Sequence, residues 1–265
     1  LDLLSTGPLT NLRGRIVSAA DLNVSASRID NTSGSLGAVG GDLSIETTSG
    51  PLDNPAGRLE AAGLVRVRAQ GLDNLAGLVT ASRIDLDTRG QSLVNAAGRL
   101  IATGLAETDR LDIHSGALDN RGGLIQAGRH LQIDTGASTL VNADTQSSGG
   151  LVSRGSLAVT TARLDNSTGF IGAQGEMNFR AGTFLNTQGA QVVGGDRITL
   201  SATTLDNRGG VFQGVGDLTL QLSDLLDNRG SLIRAGGVLT ITADRLLNSD
   251  TRNPEQGLEG SALTA

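Results

Sequence analysis

Leu118-Asp119-Asn120-Arg121-Gly122-Gly123-Leu124-Ile125 returns almost unchanged as Leu205-Asp206-Asn207-Arg208-Gly209-Gly210-Val211-Phe212. Looser copies run through the whole chain of 265 residues, each keyed by an asparagine: Asn11, Asn31, Asn54, Asn74, Asn95, Asn120, Asn142, Asn166, Asn186, Asn207, Asn228 and Asn248. The intervals between them are 20, 23, 20, 21, 25, 22, 24, 20, 21, 21 and 20 residues. Self-similarity at such a period marks a stack of one small unit, and it leaves little chain for a separate catalytic domain.

The residue two before each asparagine is apolar in all twelve copies, from Leu9 and Ile29 to Leu226 and Leu246. The residue between is Asp in seven copies and otherwise Thr10, Val94, Val141, Leu185 or Leu247. Neighbours in an extended segment point to opposite faces. The apolar residue and the asparagine therefore share the inner face, and the variable residue lies outside. Gly follows three residues after the asparagine in nine copies, as at Gly98, Gly123 and Gly210. This spacing predicts a sharp bend with positive φ there. An apolar residue comes two further on, with Gln191 breaking the rule, and a second Gly is common nine after the asparagine, as at Gly63 and Gly237. An apolar–x–apolar strand then closes each unit, as in Leu22/Val24, Val65/Val67, Leu111/Ile113 and Ile198/Leu200.

The period of 2 and the absence of any 3.6-period segment predict an all-β chain. A lone unit buries roughly six to eight side chains, each contributing about 1.5–3 kcal/mol. Ordering it costs about 1.5 kcal/mol per residue, so it folds only against neighbours. Two solenoids suit the period. The leucine-rich repeat places leucine after its asparagine and returns through a helix, whereas here the asparagine is followed by polar residues and glycine. The prediction is a parallel β-helix of about twelve coils of 20–25 residues, with three short strands per coil, spanning residues 1–248. Parallel crossovers make it right-handed. At about 4.8 Å per strand spacing it is a rod roughly 55–60 Å long. The twelve asparagines are expected to form one internal ladder, the alternative being surface Asx turns. Residues 249–265 break the frame and are expected to form an irregular coil or tail.

The chain has no Cys, Trp, Tyr or Lys, contains 38 Gly and carries a net charge of −6. Arg is spread along the rod among Asp and Glu, which argues against a nucleic-acid surface and against a polybasic membrane anchor. No apolar stretch is long enough to span a bilayer as a helix. No signal peptide is read, and the chain starts and stops inside the repeat pattern, as expected of a piece of a longer array.

The phrases Leu118–Ile125 and Leu205–Phe212 resemble the repeats of filamentous haemagglutinin and its relatives, the exoproteins of Gram-negative two-partner secretion, which include contact-dependent growth inhibition effectors. The resemblance covers residues 9–248. It implies a right-handed β-helical shaft, export through an outer-membrane β-barrel transporter, and display at the cell surface. It further implies use as an adhesin or as a stick presenting a toxin, with a receptor or glycan on a host or neighbouring cell as partner. The family's amino-terminal secretion domain and a toxin-like end have no recognisable counterpart in this sequence. Absence of Cys fits a chain that threads a pore unfolded.

No catalytic, cofactor or metal site is expected. The Asp file reads as a solvated ladder partly offset by Arg121, Arg208 and Arg229, and His114 and His130 make too small a set for a metal. The second reading is a glycan-binding or glycan-cleaving helix of the pectate-lyase kind, because the fold alone excludes nothing. Lateral or end-to-end self-association is a further expectation. Coils lengthen around Thr47–Pro51, Gly104–Arg110 and Ala143–Gly149, where partner-binding loops would stand.

Overall fold

A computed structural model describes residues 1–147 and 149–249, together with the backbone of Ala262–Thr264. The described chain is all β, a solenoid of twelve coils in which every strand pairs in parallel with its counterparts above and below. One coil runs through strands Leu22–Ala26, Ile29–Asp30 and Ser35–Ala38. First and second strands stack into a 21-stranded sheet, and third strands stack into a 12-stranded sheet. Of the expected tail, residues 249–265, most lies outside the described residues. Ala262–Thr264 pairs with Leu232–Arg234 at the edge of the second sheet.

The register follows the apolar phase. Leu43 pairs with Val65, Val65 with Ile84, Ile84 with Leu111, and Leu111 with Leu131. All five are buried, as are Leu36, Leu59, Val79 and Leu100 from the third strands. A slip by one residue would turn each of these files to solvent, so burial enforces the register. The three largest core side chains, Phe179, Phe184 and Phe212, meet in neighbouring coils with ring centroids 5.4–6.4 Å apart. They pack tilted or edge to face, as aromatic quadrupoles favour.

Three strands per coil is not universal. Leu157–Asp165, Met177–Leu185 and Ile198–Asp206 fuse the first two strands into one of nine residues. The cause is spacing. From the first inward residue to the asparagine the count alternates between 11 (Leu43, Ile84, Leu131) and 9 (Val65, Leu111) in the earlier coils, then holds at 9 from Leu157, Met177 and Ile198. Equal connections let pairing run unbroken, and unequal ones interrupt it. The two extra residues form small loops closed by a threonine hydroxyl. Thr47 donates to Gly50 O, Thr88 to Gln91 O and Thr135 to Ser138 O. Arg89 spans two coils from its loop, donating to Thr47 O at 2.9 Å and to Glu46 at 2.8 Å.

The bend differs from the sequence expectation. Positive φ falls two residues after the asparagine, at Ala56, Ala76 and Ala97 (each +51°) and Gly122 (+59°), and of the nine third-place glycines only Gly189 (+81°) meets the expectation. Gly123 N donates to Asn120 O at 3.0 Å, closing a four-residue turn whose third residue has positive φ, the type II signature. The glycine at the third place is there for want of room. A Cβ on Gly123 would sit 2.6 Å from Asn120 Oδ1 and closer still to Asn95 O. Gln191 is likewise explained by one extra residue in its bend. Val192 pairs with Ile171 and takes the inward place, while Gln191 pairs with Phe170 outside.

Candidate functional site

All twelve asparagines stand in one vertical file, eight of them at bends whose own carbonyl accepts the N–H three residues on. Each Nδ2 donates to the Oδ1 of the asparagine in the next coil, from Asn11–Asn31 through Asn228–Asn248, at 2.6–2.9 Å. Asn31 through Asn228 have no exposed surface. The second Nδ2 proton reaches bend carbonyls. Asn95 donates to Gly98 O at 3.3 Å and to Leu124 O at 3.2 Å. A buried amide so arranged meets its requirements on both ends.

The residue before the asparagine does turn work. The carboxylates of Asp30, Asp73, Asp119, Asp165, Asp206 and Asp227 accept the N–H two residues on at 2.9–3.3 Å, each forming an Asx turn. Asp53 faces Pro55, which has no N–H, and pairs with Arg28 at 2.8 Å. Arg208 and Arg229 grip Asp206 and Asp227 through two nitrogens each. The Arg229 hydrogen bond, opposed by burial, holds the Asp227 carboxyl below the usual range. That stabilisation is present above the ordinary carboxylate pKa and is lost as pH falls through the depressed one.

A second set of aspartates escaped the sequence reading. Asp21 accepts Asp42 N at 2.9 Å, Asp42 accepts Leu64 N at 2.7 Å, and Asp217 accepts Val238 N at 2.9 Å. They stitch one coil to the next at the corner between third and first strands. The second repeat glycine makes space for them, since a Cβ on Gly63 or Gly237 would strike the Asp42 or Asp217 carboxylate. The recurring Gly with Asp one coil earlier was the signal available.

The two histidines are not brought together. His130 pairs with Arg110 and His114 with Asp134, an offset of four residues, or about 13 Å along the strand. Among the described residues, no group of three His, Cys, Asp or Glu could hold a metal ion. The loop Ala143–Gly149 bonds to neighbouring coils, with Gln146 donating to Gly189 O. The loop 104–110 instead stands beside a hollow of about 270 Å³ lined by Glu107, Arg110, Asp112, His130, Gln132 and Ser156. Burial, reinforced by the Asp85 charge and opposed by Arg110, raises the Asp112 pKa, and Asp112 Oδ1 has no hydrogen-bond partner.

Asp112→Asn is expected to stabilise the fold by about 1 kcal/mol near pH 7, the low end for an unsatisfied buried group. The folded pKa lies above the unfolded one, so native Asp112 is penalised above its folded pKa and unpenalised where both states are protonated. The advantage of the variant should therefore shrink as melts are taken from pH 7 toward acid. A constant difference across pH would show that ionisation is not the cause.

Stacked parallel coils around a buried amide file define a β-solenoid repeat protein. The haemagglutinin repeat model matches residues 4–50, 38–106, 103–144, 135–196 and 185–257 in overlapping stretches, and the chain belongs to that family, of the filamentous haemagglutinin type. No curated protein and no solved structure matches it. Such repeats are generally non-enzymatic, indicate a secreted or cell-surface protein, and with this fold suit an adhesin-type shaft.

Proposed function

We propose that this segment is a non-catalytic shaft of a large Gram-negative exoprotein, exported by an outer-membrane two-partner transporter. It extends a receptor-binding or toxin tip from the outer face of the cell toward a receptor or glycan on a host or neighbouring cell. Lateral or end-to-end contact between shafts is part of the same reading. The observation that carries the proposal is continuity: the aliphatic files and the amide file run in one register from coil to coil, as a spacer requires. The twelve asparagines are proposed as the structural element that sustains it.

A spacer tolerates loss of a whole unit. Removal of residues 187–207, one interval of 21, leaves Asn186 below Asn228 and is expected to preserve β-rich circular dichroism and a cooperative melt. The rod should shorten by about 4.8 Å in electron microscopy of aligned particles. Global unfolding of that deletion would contradict a modular shaft. Release of sugar from polygalacturonate or another polysaccharide, abolished by substituting a carboxylate of the chain, would replace it with the enzyme reading.

A further inference from the structure

Gly37 and Gly172 stand in one outward file of the second sheet, six coils apart. Every other member of that file, from Val17 to Arg234, carries a side chain. Each glycine therefore leaves a notch one side chain deep. At Gly172 the chain fills the notch itself. Phe170, two residues back on the same face, lays its ring across the gap, and a Cβ on Gly172 would stand 2.8 Å from Phe170 Cε1 and Cζ. At Gly37 the corresponding place is held by Ser35, which is too short to cover anything. A Cβ on Gly37 would meet nothing nearer than Val17 Cγ2 at 3.6 Å. The notch opens into a hollow of about 600 Å³ whose lining includes Arg15, Val17, Val39, Arg58 and Glu60.

The surroundings choose the occupant. Val17 and Val39 offer apolar walls, and Val39 is 69% exposed. Ser35 is flanked in register by Arg15 in the coil before and Arg58 in the coil after. Arg58 is engaged by Glu60, whereas Arg15 makes no hydrogen bond or ion pair among the described residues. The hollow thus joins an apolar floor to one uncompensated positive charge. A ring lying beside guanidinium groups gains an attraction that an aliphatic group cannot offer. A carboxylate at Arg15 gains a charge-assisted hydrogen bond. The Arg15 file and the Gly37 file are two residues apart along the strands, roughly 6.6 Å, which is the spacing of residues i and i+2 in an extended segment.

A second copy of this chain has no ring to give. The chain has four Phe and no Trp or Tyr. Phe179, Phe184 and Phe212 are buried in the core, and Phe170 already covers Gly172. A free small ring is a poor match too, because a notch one side chain deep leaves most of its surface in water. A ring carried on a chain acts as an anchor, with its neighbours excluding water around it. We infer that the notch at Gly37 docks an extended segment of a different polypeptide that reads acid–x–aromatic, with its ring over Gly37 and its carboxylate on Arg15.

The test is an amide NMR titration of the whole chain with a capped pentapeptide carrying aspartate at its second place and phenylalanine at its fourth, the rest being glycine and serine. Saturable shifts should be confined to residues 15–18, 35–39 and 58–62. Leucine in place of the phenylalanine should weaken binding about fivefold, and asparagine in place of the aspartate about tenfold. Arg15→Gln should erase the difference between the aspartate and asparagine peptides. Ser35→Phe copies the arrangement at Gly172, so the chain's own ring should cover the notch and abolish the shifts without lowering the melting temperature. Gly37→Val, an outward change in a strand, should abolish them by filling the floor, and it keeps the test decisive if Ser35→Phe folds poorly. The inference is overturned by the absence of saturable shifts, by a leucine peptide that binds as tightly, by N-acetylphenylalanine that binds as tightly as the pentapeptide, or by shifts that survive Gly37→Val. Self-association of the chain that Gly37→Val abolishes would assign the notch to a second copy and overturn it equally. The shaft reading is tested separately by the coil deletion, since removal of residues 187–207 leaves this hollow untouched.

Discussion

Asn120→Asp is expected to destabilise the fold more than Asn120→Ala at pH 7, and less than Ala in acid. Asn120 is fully buried, accepts from Asn95 Nδ2 at 2.7 Å, and donates to Asn142 Oδ1 at 2.8 Å. Alanine removes both bonds and leaves Asn142 Oδ1 without its donor, a loss of about 3 kcal/mol when an orphaned buried group costs about 1–3 kcal/mol. Aspartate keeps the acceptor but sets a second oxygen against Asn142 Oδ1 and Gly123 O, with a charge that has no counter-ion. An uncompensated buried charge costs about 3–5 kcal/mol. Protonation would turn the offending oxygen into a donor toward Asn142, so the folded pKa of the new carboxyl lies above its unfolded value. Stability therefore recovers as pH falls through the folded pKa toward the unfolded one. Denaturant titrations at neutral and acid pH give the order directly. An aspartate variant as stable as wild type at pH 7 would mean the file is filler and not a hydrogen-bonded ladder.

The second large effect separates two adjacent glycines. Gly123→Ala should cost more than 3 kcal/mol, because its Cβ would press on Asn95 O and lie 2.6 Å from Asn120 Oδ1, and backbone and a buried amide cannot yield cheaply. Gly122→Ala should cost about 1 kcal/mol or less. Its φ of +59° is unfavourable for alanine, but a Cβ there meets nothing nearer than 4.0 Å, and Ala56, Ala76 and Ala97 already occupy the same place in other coils. Thermal melts of the two variants side by side decide it. Equal losses would show that conformation, and not the approach of the neighbouring coil, selects glycine in this bend.

These glycines also show what a sequence conceals. The inward aliphatics were legible because a period of 2 admits one burial phase, and their pairing in register, Leu111 with Leu131 for instance, follows from it. The reason for a repeat glycine was not legible. Positive φ and lack of room both select glycine, and only the neighbouring coil distinguishes them. Asp119 and Asp206 read as charges on a face because the donor they accept from is a backbone N–H, which no residue name announces. The hollow at Asp112 drew on three coils and one insertion. The insertion was visible in the interval, but Gln132 and Ser156 join it only through register.

One property of the amide file has a mechanical sequel. Every Nδ2 points the same way, and the bend carbonyls, such as Gly98 O beside Asn95, hold it there. Rotating one amide by half a turn would set like against like at two junctions, so no member can reverse alone. The column is thus a one-way zipper. A coil completed earlier in the chain presents its NH₂ group to the coil that follows, and a polypeptide folding from its amino end always meets a template of the correct sense. A segment stacked upside down would find donors facing donors, which gives the rod a grain that every added coil must share.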